Sequence, residues 1–127
     1  MKYSIEKQEK YSIFKVDEEK LDSTKAPDFK SRFVTLQAEG VKSLIVNLSP
    51  VKYIDSSGLS SLLVGNRLFR ENGGSFVLIG VNDHVMKLVS ISQLDKVLDI
   101  LPTLEEAIDT VIMNHIQDEL GQGNSKD

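Results

Sequence analysis

The sequence predicts an α/β domain: one mostly parallel or mixed sheet of about five strands, with about four helices packed against it. Three observations point there. The runs Leu44-Ile45-Val46-Asn47-Leu48 and Phe76-Val77-Leu78-Ile79 are almost continuously apolar, as in strands covered on both faces. Helix-period stretches with clear stop signals lie before, between and after them. From the second strand onward, strand and helix alternate, which is the order that builds parallel sheets.

Residues 2–17 read as two strands joined by a short link at Glu9-Lys10, a hairpin. Tyr3, Ile5 and Lys7 share one face of the first. In the second, Ile13, Phe14 and Val16 fall on both faces, so its phase is open. Asp17-Glu18-Glu19-Lys20 is an acidic turn. Asp22, Ser23 and Thr24 can each cap the helix that follows, and Pro27 suits its first turn. Phe29, Phe33 and Leu36 lie on one face of that helix, and Gly40 ends it.

After the strand at 44–48, Ser49-Pro50 closes the run, and Val51-Lys52-Tyr53-Ile54 crosses the sheet end. A helix then begins near Gly58. Leu59, Leu62, Leu63 and Phe69 form its stripe, with Val64 and Leu68 at the border, and Asn72-Gly73-Gly74 stops it. Gly65 sits inside this helix at a cost of about 1 kcal/mol relative to alanine, which close packing or simple tolerance could explain. Asn82-Asp83 caps a short helix with Val85, Leu88 and Val89 inward. Val97-Leu98-Asp99-Ile100 is a last strand. Thr103-Leu104-Glu105-Glu106 is a capping box, and Leu104, Ile108, Val111 and Ile112 are the expected buried stripe of the final helix. Residues 1–117 make one domain, and 118–127, without an apolar anchor beyond its start, reads as a disordered tail.

Composition narrows the function. A formal charge of −4 disfavours nucleic acid and anionic membrane as partners, because both select clustered Lys and Arg. The chain has no cysteine, which removes thiol catalysis and zinc–thiolate sites. No apolar run approaches a membrane span, so no membrane insertion and a cytoplasmic location are expected. The two histidines, His84 and His115, read as surface and edge-packing residues. There is no Gly-x-Ser-x-Gly elbow, phosphate loop or metal constellation. The expectation is no catalytic residue, no metal and no cofactor.

One stretch remains. Asp55-Ser56-Ser57-Gly58 lies between a strand exit and a helix start, at the end of the sheet where α/β folds meet ligands and partners. Any of Asp55, Ser56 or Ser57 could cap the helix, and one cap suffices. A phosphate on Ser56 would instead add about −1.5 to −2 charge and could turn docking on or off without refolding the domain. The residues alone leave both readings open.

Lys52-Tyr53-Ile54-Asp55-Ser56-Ser57-Gly58-Leu59 resembles the signature of STAS domains, and is most similar to that of bacterial anti-sigma factor antagonists. Leu21-Asp22 with Ala26 resembles the family's turn before its first helix, although Lys20 stands where a glycine is usual. Asn72-Gly73-Gly74 with the strand after it, and Val85-Met86-Lys87-Leu88 with Gln93-Leu94, fit the same pattern. The resemblance covers about residues 3–115. It implies a partner-switching protein without enzyme activity. Such an antagonist binds an anti-sigma factor that is also a serine kinase, and so frees a sigma factor for transcription. The kinase phosphorylates the serine after the motif aspartate, here Ser56 with Ser57 as runner-up, and a phosphatase resets it. ATP belongs to the kinase. The implied docking residues are Leu21, Asp22, Ser23, Asp55, Ser56, Ser57, Gly58, Ser60 and Ser61, the last two on the exposed helix start. A monomer is the default. The alternative is a STAS scaffold in a signalling or transport-associated complex with no sigma factor; a small-molecule sensor ranks behind both.

Overall fold

In the computed structural model, residues 1–124 are described. In chain order the elements are β1 (Tyr3–Lys7), β2 (Ser12–Val16), β3 (Lys20–Leu21), α1 (Ala26–Ala38), β4 (Leu44–Asn47), β5 (Tyr53–Ile54) and α2 (Ser56–Glu71). Then come β6 (Phe76–Ile79), α3 (Asp83–Ile91), a 3-10 turn at Leu94–Lys96, β7 (Asp99–Leu101) and α4 (Leu104–Asn124).

Five strands form a mixed sheet in the order β1-β2-β4-β6-β7. β1 runs antiparallel to β2, with Ile5 opposite Phe14. β2, β4, β6 and β7 are parallel to one another, as the alternation of elements predicts. Their carboxyl ends therefore share one edge of the domain, and α1, α2 and α3 all start there.

The apolar runs are two-faced for a clear reason. Leu44, Val46, Phe76 and Leu78 point into the larger core, under α1, α2 and α3. Ile45, Val77 and Ile79 point the other way, against Ala107 and Val111 of α4. The same alternation resolves β2: Phe14 and Val16 enter the larger core, and Ile13 lies on the α4 side. Five phenylalanines knit that core, with Phe33 edge-on to both Phe69 and Phe76.

Gly65 is needed where α2 crosses this cluster. A Cβ there would lie 2.6 Å from the Phe76 ring and 2.7 Å from the Phe33 ring, so close packing is the reason for the glycine.

Four expectations shift. In α4 the buried line is Ala107 and Val111; Leu104 is exposed, and Ile108 and Ile112 are half-buried. The small Ala107 brings the helix close to the sheet and sets its phase. Leu63 of α2 is half-buried, while Gly65 and Asn66 take the buried line with Leu62 and Phe69. The last strand starts at Asp99, because residues 94–96 wind into the 3-10 turn. Finally, α4 continues to Asn124, across most of the stretch expected as a tail. Its continuation contains good helix formers and a His115–Glu119 pair at 3.2 Å, one turn apart. Residues 125–127 of that stretch lie outside the described residues.

Candidate functional site

The carboxyl-end surface is built by two loops that the sequence places far apart. β3 and β5 are only two residues each and pair in parallel, Lys20 with Tyr53 and Leu21 with Ile54. Nothing in their periodicity signals them. The pairing is extended by Lys52 and Tyr53, whose N–H groups donate to the Glu19 carbonyl at 2.7 and 3.0 Å, and by Asp55 N–H to the Leu21 carbonyl at 3.3 Å. Beneath them, Gly58 is buried against this seam. A Cβ there would lie 2.2 Å from the Leu21 carbonyl oxygen and 2.5 Å from Ile54 Cγ1. Only a glycine lets the first turn of α2 approach the loop before α1 so closely.

Asp55 supplies the helix cap. Its Oδ1 accepts from Gly58 N–H at 2.9 Å, as an N-cap residue should. Its Oδ2 accepts from Ser23 N–H at 3.2 Å. One carboxylate thus caps α2 and ties the neighbouring loop to it. Asp22 works within its own loop: its Oδ1 accepts from Thr24 N–H at 3.0 Å and Thr24 Oγ1 at 2.6 Å. Those bonds, the hydroxyl's first, hold the Asp22 carboxyl below the usual carboxylate range. Asp22 does not cap α1 with its side chain; that helix has Lys25 at its cap position and no side-chain cap bond. On the far side of the loop, Glu18 accepts from Lys2 N–H at 2.6 Å, which is the main cause of its lowered pKa. Asn82, the cap of α3, also donates to the Val51 carbonyl at 3.1 Å, so α3 is anchored to the same region.

The serines divide by position. Ser56 is the first residue of α2 and exposed; its hydroxyl takes no part in the cap. Ser57 is half-buried, and Ser23 and Ser60 are exposed. Ser61, expected on the exposed helix start, is fully buried, and its hydroxyl donates to the Gly58 carbonyl at 2.6 Å. By satisfying its hydroxyl on its own helix, it packs as a small core residue. Leu21 is also fully buried, so its side chain supports the loop from below.

Between the first turns of α1 and α2 lies an open hollow of about 360 Å³, lined by Ser23, Pro27, Lys30, Ser56, Ser57 and Ser60 among others. Pro27 and Lys30 were not among the expected site residues. Their signal in the sequence is only the placement of α1's first two turns beside the serines, which requires the fold. Tyr53, also exposed, meets the His84 ring edge-on at 5.7 Å beside the same loops.

Among the described residues no group of three or more His, Cys, Asp or Glu is arranged to hold a metal ion. No described helix is long and apolar enough to cross a membrane.

Comparison with known proteins agrees with this architecture. The anti-sigma-B factor antagonist of Staphylococcus aureus is 27% identical over 93 residues, covering 73% of this chain and 85% of that protein. Among solved structures, the Thermotoga maritima protein TM1081 superposes with a TM-score of 0.76 at 25% identity, covering 86% of this chain and 93% of that one. The Bacillus cell fate determinant SpoIIAA, solved in its phosphorylated form, has the same fold, with a TM-score of 0.66 at 23% identity and coverage of 87% and 99%. The model of the STAS domain matches residues 2–107, and by that match the chain belongs to the STAS domain family.

Proposed function

We propose that this protein is an anti-sigma factor antagonist whose docking surface is switched by phosphorylation of Ser56. The observation that carries this reading is the division of labour at the start of α2. Asp55 caps the helix and ties the two loops, which leaves the adjacent Ser56 hydroxyl exposed and structurally unemployed. The capping explanation for this motif is therefore used up by Asp55. Ser57 is less accessible and is the second choice.

The partner is an anti-sigma factor that is also a serine kinase. Its ATP supplies the phosphoryl: the Ser56 oxygen bonds to the γ-phosphorus, the bond to ADP breaks, and the hydroxyl proton leaves. The product adds about −1.5 to −2 charge beside Asp55 on the surface the partner must cover. Because Ser56 caps nothing, that charge alters docking with the interior unchanged. A phosphatase removes the group and restores docking. The chain acts as a monomeric cytoplasmic docking domain, with no catalytic residue or cofactor of its own.

The test is transfer from the cognate kinase. Incubation with kinase and ATP should add one phosphate, mapped to Ser56 by peptide mass. Ser56→Ala should still dock and take no label, and Ser56→Asp should dock more weakly. An active kinase that labels neither Ser56 nor Ser57 would overturn the switch.

A further inference from the structure

Lys30 is the one cation among the residues that line the hollow between α1 and α2. Lys25, Arg32 and Lys52 each have a carboxylate within 4.0 Å, whereas among the described residues Lys30, like Lys20 and several other lysines, has none. It is half-buried on the second turn of α1 and lines the same hollow as the Ser56 and Ser60 side chains. A half-buried lysine with no carboxylate within 4.0 Å, on a chain of net charge −4, puts a positive group beside a hydroxyl-lined space. Asp22, Lys25, Asp28, Arg32 and Asp55 are the other charged groups of the capping loops and first two turns that meet here, and none of them lines the hollow. Asp22 is engaged by Thr24, and Asp55 by Gly58 and Ser23. The hollow thus offers one cation, several hydroxyl donors and no carboxylate.

We propose that this hollow is the seat of the Ser56 phosphoryl group, with Lys30 as its counterion. This rests on Ser56 being the acceptor. Lys30 then acts as a positioning residue. It draws the phosphoryl into the space between α1 and α2, offsets its repulsion with Asp55, and gives the modified domain one defined charged surface. Unmodified, the same lysine leaves that surface positive at its centre, so the modification reverses the local sign.

The test places phosphoserine at position 56 during translation, so that it does not depend on a kinase. The second ionisation of the phosphoryl is then followed by phosphorus NMR in otherwise unaltered protein, in Lys30→Gln, in Lys30→Arg and in Lys42→Gln as a distant control. A counterion at close range should lower that ionisation by about half a pH unit, since it favours the dianion. Lys30→Gln should lose the shift, Lys30→Arg should keep most of it, and 1 M salt should shrink it. Circular dichroism of each variant checks that the fold is retained. Equal ionisation in the unaltered protein and Lys30→Gln would overturn the seat while leaving the switch reading intact. An active native kinase that labels neither Ser56 nor Ser57 would overturn the switch reading, and with it the occupant of the seat, whatever the ionisation shows.

Discussion

Replacing Gly58 by alanine tests whether the two loops of the site are held by backbone contact. Helix propensity alone favours alanine by about 1 kcal/mol. Packing opposes it. The added Cβ would lie 2.2 Å from the Leu21 carbonyl oxygen, where ordinary contact begins at 3.4 Å, so something must withdraw by about 1.2 Å. The obstacle is backbone, and the Ile54 side chain closes the other direction at 2.5 Å. Withdrawal of the loop stretches the Asp55–Leu21 and Asp55–Ser23 bonds, already 3.3 and 3.2 Å. Overpacking of about 1–3 kcal/mol and weakening of two hydrogen bonds at about 1 kcal/mol each outweigh the propensity gain. The net expectation is a loss of about 2–4 kcal/mol, or roughly 8–15 °C in melting temperature for a chain of this size. Thermal and urea unfolding read it directly, and amide exchange should speed up in residues 20–24 first. A variant as stable as the parent, or more so, would refute the account of the seam.

Three further outcomes follow from the same geometry. Gly65→Ala should also destabilise, by about 1 kcal/mol net, because the Phe33 and Phe76 rings must shift to admit the methyl; urea unfolding checks it, and a gain in stability would mean the rings yield freely. Asp55→Ala should cost about 1 kcal/mol as a lost cap and release the Ser23 amide, seen as a selective chemical-shift change at residues 22–24. Acidification should weaken the N-terminal clamp: Glu18 has a depressed pKa in the folded state, so its contribution is complete above its ordinary value of about 4 and is lost as pH falls through the folded value. Glu18→Gln should therefore flatten the decline of stability with acid, and an unchanged slope would show that the Lys2 bond does not matter.

Legibility in the sequence followed range. The runs at 44–48 and 76–79 carried their two-faced burial in composition, and Phe29, Phe33 and Leu36 carried theirs in spacing. The Asp-Ser-Ser-Gly motif marked a helix start with three possible caps, and the structure assigns the cap to Asp55 because its carboxylate alone reaches Gly58 N–H. The β3–β5 pair stayed hidden: two residues carry no period, and their partners are 33 positions apart, Lys20 with Tyr53 and Leu21 with Ile54. Gly58 read as a motif letter, since its reason lies in the distant Leu21 carbonyl. Ser61 was misplaced because a hydroxyl counts as polar until its own helix satisfies it. In α4 the large apolar residues suggested one phase, while the small Ala107 fixed another.

The direction of the chain through the sheet has a practical consequence. β1 is antiparallel to its neighbour, so Tyr3 enters opposite Val16, at the same edge as the serines. α4 leaves that edge and runs away from it for 21 residues, about 31 Å. Its far part, at His115, borders a hollow with Lys7 and Lys42 at the opposite pole. Anything tethered after α4, whether a dye, a bead or a second domain, hangs at the pole remote from Ser56 and leaves the surface open to a visitor. The same cargo attached ahead of Tyr3 would crowd it. Immobilisation for binding measurements should therefore use the helical exit, and the domain is wired to be carried by one end and addressed at the other.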